Sequence, residues 1–516
     1  MTHSAPRRAL LGLLAVAMVC VPFYGAWRYD EFQRAVAAQE APPGPGRAAA
    51  AGAGGPASGR RTEGTAPVVL AYHDIGRDSR SRYTVTPEAF DAHLAALAAA
   101  GYRTLSSEEF TAYLRGGPAP GPRSVFLTFD DGAHGLWVHA DRILARYRMR
   151  AAAFLITRAV GSHRPYYLSW KEIGRMARSG RWDFENHTHD LHRREAVDAA
   201  GRTSSALASR LWLPGEERRE TAEEYRLRIE ADLDRSIGDI TRRGLPRPRL
   251  FAYPFSETNG HVSALATNRM LRAALAERFV AALTNSSGRP LPAGRRAAAA
   301  GEVQRVEVTA GTGVRELLAG VRRWTSVSPA DCPAPLTQVR SWRRDGRWRA
   351  PGLGVFTGAG PYPGPTGYAA ASYLPTGTAD WTGYGVDFRV SGLRESENSA
   401  GVIVRHGSLD PLEVSLSFSY VRLREHRGGR WHEIGRRTLT DASAHRVRIT
   451  VEDGRTLVAV DGRTQIRQAA RATGGDATGG IAVSVRNGDP DGGWPRFTSL
   501  TVRPSAGAGA DGARRG

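Results

Sequence analysis

The chain has 516 residues, with 71 Lys or Arg against 51 Asp or Glu, a formal net charge of +20 and a sequence pI near 10.7. That length exceeds one compact core and implies two domains with accessory segments. The charge does not read as nucleic-acid binding: every basic residue except Lys171 is Arg, scattered with no basic helix or aromatic-basic alternation, so the balance favours anionic surroundings such as lipid headgroups or acidic wall polymers.

Arg7 and Arg8 precede an apolar run over 9–27, nearly long enough to span a hydrocarbon core, and Arg28, Asp30 and Glu31 follow it. This predicts a single-pass anchor within 1–34 that leaves the bulk of the chain outside the cell. Secretion after cleavage near Ala35-Val36-Ala37 is the alternative. Of the two cysteines, Cys20 lies in this run and Cys332 far away, so no disulfide framework is expected. Residues 35–66 are Ala, Gly, Pro and Arg and read as a disordered tether.

The first folded domain is expected over 67–324. A strand over 68–73 ends on His73-Asp74. Thr86 then caps a helix with Pro87 in its first turn and Phe90, Leu94 and Leu97 at helical spacing. Ser106 and Glu109 form a capping box for the next helix. A strand over 125–129 stops at Asp130-Asp131-Gly132, and a helix over 136–147 and a strand over 151–156 follow. Ser169 and Glu172 cap a helix ending at Gly180. A strand over 182–185 runs into Asn186-His187-Thr188-His189-Asp190-Leu191-His192. After a polar insertion, 221–242 reads as a long helix with Leu227, Ile229, Leu233, Ile237 and Ile240 inward. Strands over 250–253, 279–283 and 303–308 complete the pattern. Strands alternating with helices predict an α/β fold, a parallel sheet closing into an irregular (β/α) barrel. In such barrels chemistry sits at the carboxyl ends of strands, where Asp130, Asp131, His187, Pro254 and Phe255 fall.

One carboxylate with two imidazoles makes a three-ligand set with positions left for water, the pattern of a hydrolytic metal centre, and leaves the second carboxylate as a base. On spacing alone His187 pairs either with His189, on the same face of an extended segment, or with His192 across a turn after Thr188.

Pro329, Pro333 and Pro335 mark a linker over 325–345. From 346 to 504, short strands over 385–390, 401–405, 413–420, 444–451, 457–460 and 481–485, separated by glycine turns, predict an all-β sandwich. Trp381, Tyr384, Trp431 and Trp494 are candidate sugar platforms, with core packing the rival reading for each, and Arg405 and His406 are candidate groove residues. No paired carboxylates suggest a glycosidase site here. Residues 505–516 read as a disordered tail.

Three stretches carry a resemblance: Thr128-Phe129-Asp130-Asp131-Gly132, His187 to His192, and Phe251-Ala252-Tyr253-Pro254-Phe255. They resemble the leading motifs of the polysaccharide deacetylases, the NodB-homology group or carbohydrate esterase family 4, across about 67–310. Their wording is most similar to the branch acting on poly-β-1,6-N-acetylglucosamine. The second domain resembles concanavalin-like, laminin-G-type jelly rolls. The resemblance implies a NodB-type barrel and a divalent metal, zinc by default with nickel, cobalt or iron as alternatives, on Asp131, His187 and His192. It implies Asp130 as the base and the Phe255 backbone N–H as an oxyanion donor. The expected activity is N-deacetylation of an N-acetylglucosamine polymer, with peptidoglycan or chitin as alternative substrates. A cell-wall glycan is the expected partner of the sandwich.

Two departures stand out. Many family members carry an arginine two positions before the motif proline, where this chain has Ala252. Many also carry a late Leu-x-His, and none follows His261, which leaves the proton donor unassigned. These gaps support a second reading, a non-catalytic glycan-binding surface protein.

Overall fold

The computed structural model describes residue 28 and residues 66–505, except 78–80, 164, 259–264, 288–289, 346–351, 396–397, 409, 453–454 and 469–477. The expected tether and tail, and the apolar run over 9–27, lie outside the described residues. The expected single-pass anchor is not borne out: among the described residues no helix is long and apolar enough to cross a membrane. The longest, Ala222–Thr241, carries acidic and arginine residues along its whole length and buries only one face.

The first sheet has nine parallel strands, eight of them in one continuous path, with Arg103–Thr104 pairing off it beside Ser124 and Val125. The eight are β1 (Val68–Tyr72), β2 (Ser124–Phe129), β3 (Ala151–Leu155), β4 (Trp182–Asn186), β5 (Leu250–Ala252), β6 (Ala281–Thr284), β7 (Val303–Gln304) and β8 (Val306–Glu307). Their spatial order is β7-β6-β5-β4-β3-β2-β1-β8. The two outermost strands are one stretch of chain interrupted at Arg305, so the sheet comes round on itself as a nearly closed barrel. Strands covered on both faces need apolar residues at every position, which explains why β1 to β3 read as unbroken hydrophobic runs.

Alternate residues serve different cores. Val69, Phe126, Ala152, Phe154, Leu250 and Ala252 cluster on one side of the sheet, inside the barrel. Leu70, Tyr72, Leu127, Phe129 and Leu155 turn outward against Phe90, Leu94, Leu144 and Met176 of the surrounding helices. Those helices start where the sequence predicts. Thr86 accepts from the Ala89 N–H, and the boxes Ser106/Glu109 and Ser169/Glu172 both close.

The second unit is a sandwich of antiparallel sheets, seven-stranded and five-stranded. Val402, Val414 and Val483 of one meet Val386, Phe388 and Ile449 of the other. Arg296 of the first unit bonds Asp380 Oδ1 at 2.7 Å, and Trp381 Nε1 donates to the Val327 carbonyl.

Several expectations fail for identifiable reasons. Leu227 is 52% exposed, because it lies roughly 200° around the helix from buried Tyr225. The expected strand over 413–420 is two strands, Leu412–Leu416 and Tyr420–Arg427, joined by a turn without Gly or Pro. The segment over 136–147 opens as a π-helix, Leu136–Ala140. Trp342–Asp345, expected in the linker, pairs antiparallel with Gly367–Tyr373 at a sheet edge. Arg430–Thr438, an edge strand, was not legible because both its faces are largely solvated and no alternation survives. Cys332 is a buried free thiol in the sandwich core.

Candidate functional site

The site lies where β2 and β4 end. Thr128 and Asp130 follow Phe126 on the inward side of β2, and the Asp130 N–H still bonds the Tyr72 carbonyl. Asp131 then adopts φ +70, beyond the last pleat, and Gly132 follows at φ +74. After β4 the His187 N–H bonds the Leu155 carbonyl, and Thr188 turns the chain with φ +76. Non-glycine residues held in this region cost about 1–3 kcal/mol each, and such outliers concentrate at functional sites.

These turns bring three side chains to one point. Asp131 Oδ1 lies 3.5 Å from His187 Nε2 and 3.4 Å from His192 Nε2. All three potential ligand atoms fall within 4.8 Å of one another. Asp131 Oδ1 is buried without a hydrogen-bond partner. His187 Nδ1 is 2.8 Å from the Ala252 carbonyl, which accepts its proton and leaves Nε2 free as a donor atom to a cation. An orphaned carboxylate oxygen facing two imidazole nitrogens is a donor set that fits a divalent metal.

The electrostatics agree. Burial opposes the charge on Asp131, but His187 and His192 outweigh it and hold the carboxyl below its usual range. Burial likewise opposes protonation of His187, and Asp131 and Asp130 outweigh it and raise its pKa. Burial and then the neighbouring His187 push His192 down to about 4. The ionised Asp131 carboxylate is the charge that a bound cation would meet here.

His189, the rival on spacing, turns away: its Nδ1 lies 2.9 Å from Thr157 Oγ1 and 3.1 Å from Asp239 Oδ2. Phe255 sits in a left-handed turn, φ +57, with its ring 4.7 Å from that of His192. Tyr253 is a core residue whose hydroxyl bonds the Gly301 carbonyl.

Sequence reasoning missed Arg305. Its guanidinium is fully buried, and it grips Asp130 with both arms, Nη1 to Oδ1 at 2.7 Å and Nη2 to Oδ2 at 2.6 Å. Nε also donates to Asn285 Oδ1 at 2.8 Å. Burial opposes the Asp130 charge, and Arg305 overrides it and keeps this carboxyl far below its usual range. The chain therefore places an arginine on Asp130 from the closing strand rather than from the Ala252 position. A charged residue at the centre of a predicted buried strand was the one available signal. His73 completes the rim, its Nε2 4.0 Å from Asp130 Oδ2 and its Nδ1 without a partner.

In the sandwich, Trp381 and Tyr384 are core, with Tyr384 bonding the Gly480 carbonyl, whereas Trp431 is 37% exposed. Arg405 lines no groove: it is 5% exposed and bonds Thr456 Oγ1 at 3.0 Å. Trp137 is core as well.

A carboxylate and two imidazoles beside an ion-paired second carboxylate, at the carboxyl ends of barrel strands, form a donor set that fits a hydrolase-type metal centre. Residues 117–274 match the family model described as polysaccharide deacetylase. Within the first unit, 117–274 is thus the stretch similar to polysaccharide deacetylases.

A poly-beta-1,6-N-acetyl-D-glucosamine N-deacetylase of Staphylococcus epidermidis is 38% identical over 120 residues, 23% of this chain and 41% of the relative. One of Staphylococcus aureus is 36% identical over 113 residues, 21% of this chain and 39% of the relative. The chain thus spans about two fifths of the length of the curated relatives it matches. Among solved structures, IcaB from Ammonifex degensii is similar with 25% identity and a TM-score of 0.39, over 50% of this chain and 98% of that one.

Proposed function

We propose that this protein is a metal-dependent N-deacetylase of an N-acetylglucosamine polymer, with the β-1,6-linked polymer as preferred substrate. The observation that carries it is the convergence of Asp131, His187 and His192 around an unpartnered carboxylate oxygen, beside Asp130. The relatives' names support the substrate class.

A divalent metal bound there, zinc by default, supplies Lewis acidity to the acetamide carbonyl and to the attacking water. The chain's own groups do the rest. Asp130, kept ionised and oriented by Arg305, accepts the water's proton. The Phe255 backbone N–H helps hold the negative charge on the former carbonyl oxygen. As the C–N bond breaks, the leaving amine needs a proton, and His73 is the imidazole beside Asp130 that can deliver it. Exposed aromatic rings stand around this centre. Tyr83 packs on His73, Phe255 on His192, and the Tyr166 hydroxyl is raised to about 12 by burial and then the Asp131 charge. Flat apolar rings with polar edges suit the faces of sugar rings. Arg305 also removes one of the two supports of the binding-only reading, the missing arginine.

The test is acetate release from a β-1,6-linked N-acetylglucosamine pentamer, beside β-1,4-linked pentamers and with bound metal measured in parallel. Activity that vanishes with chelator, returns with zinc and favours the β-1,6 oligomer is expected. Absence of acetate release under every divalent metal tried would defeat the proposal.

A further inference from the structure

One end of the sandwich carries a cleft of about 480 Å³, within the range of roughly 300–1,000 Å³ typical of small-ligand sites. Three loops build it, around residues 362–365, 392–394 and 492–496. Its wall is an aromatic pair: Tyr362 stacks on Trp494 with ring centroids 5.4 Å apart and planes 13° from parallel. Tyr362 remains 38% exposed.

Two buried amides fix the loops. Asn398 Nδ2 donates to the carbonyls of Gly392 and Gly493, and Asn487 Nδ2 to those of Pro365 and Gly492. Both asparagines are 1% exposed, and Trp494 Nε1 adds a bond to the Gly364 carbonyl. A cleft shaped by buried hydrogen bonds loses little entropy when it binds.

The charge in it is one-sided. Arg394 and Arg496 line the cleft, and neither guanidinium has a carboxylate partner among the described residues. Arg496 Nε bonds only the Ser391 hydroxyl, at 3.2 Å. The neighbouring acid Asp489 is turned onto its own loop, with Oδ1 accepting from the Asp491 N–H.

We infer that this cleft binds an acidic saccharide, a pyranose carrying a carboxylate, with the ring against Tyr362 and the carboxylate on the unpaired arginines. A stacked aromatic wall selects the flat face of a sugar, and guanidinium groups match a carboxylate in geometry and charge. The inference stands apart from the barrel chemistry and would survive failure of the deacetylase reading.

The experiment is calorimetric titration of the full chain with a tetramer of glucuronic acid, beside the neutral N-acetylglucosamine tetramer and citrate. Saturable binding of the uronate tetramer is expected, weakened roughly tenfold or more by Tyr362→Ala and by Arg394→Gln, both exposed positions. Acetate release should be unchanged in either variant. Added salt should weaken the binding, because the paired charges are exposed. No saturable uronate binding, binding indifferent to both substitutions, or citrate binding as tightly as the sugar would each overturn the inference.

Discussion

Replacing Arg305 with Met leaves the Asp130 carboxylate, 3% exposed, in a barrel interior with no cation to meet it. The lost contacts are the two charge-assisted bonds at 2.6 and 2.7 Å and the bonds to Thr128 and Asn285. Breaking one side of a buried pair costs about 3–5 kcal/mol, mostly the stranded charge. Asp130→Asn alone strands the guanidinium instead and should cost a comparable amount. The double variant strands neither charge, so its loss should fall short of the sum by about 2–3 kcal/mol. Because Arg305 separates β7 from β8, the damage should concentrate at the barrel seam. The assay is hydrogen exchange of chelated protein at pH 7 across a urea series, read on peptides covering 124–130 and 303–308, which reports the barrel without assuming that both domains unfold together. Arg305→Lys keeps a charge but not the fork and should recover part of the loss. If Arg305→Met shifts exchange by less than about 1 kcal/mol, or the two substitutions simply add, the argued role of this ion pair is wrong.

Three further outcomes follow from the geometry. His192→Ala should lower metal affinity by more than the roughly 10–100-fold typical of an outer-shell change, whereas His189→Ala should leave bound zinc at full stoichiometry; metal analysis after dialysis distinguishes them. Tyr166→Ala should raise KM for oligomers about three- to tenfold with kcat nearly kept, measured on the pentamer. Glu185 is buried under the barrel and pushed up to about 7 by burial, which outweighs the backbone N–H groups of Leu250 and Arg249. Its folded pKa exceeds its unfolded one, so the contribution of Glu185 to stability is fully present below about pH 4.5 and is lost as pH rises through about 7, by about 3 kcal/mol in total. Glu185→Gln should flatten that slope and raise the melting temperature at pH 8 more than at pH 5, and equal changes at both would contradict it.

Much of this was legible in the chain, for physical reasons. Buried parallel strands leave apolar runs, and capping boxes leave Ser/Thr with Glu three places on, so the barrel's elements and most helix starts could be read directly. Asp130, Asp131, His187 and His192 stood out because carboxylates and imidazoles at strand ends are costly without a task. Arg305 did not, because its partner is 175 residues away and only barrel closure brings them together. The choice between His189 and His192 rests on the single left-handed residue Thr188, which spacing cannot foresee. In the sandwich, arginine-rich edge strands hid because solvation on both faces erases the period-two signal. The anchor expectation rested on hydropathy and flanking charge, and among the described residues no membrane-crossing helix supports it.

The aromatic rim at the barrel mouth has a further consequence. Rings grip sugar by shape and are indifferent to whether its nitrogen still carries acetate. Under the proposed activity, however, each turnover would uncover an ammonium on the polymer, beside a chain that already bears an excess of twenty positive charges. Attraction stays constant while repulsion accumulates, so the hold weakens as the work advances. Such an enzyme would let go of its polymer part-way, leaving a patchwork of acetylated and bare units whose proportion rises with ionic strength.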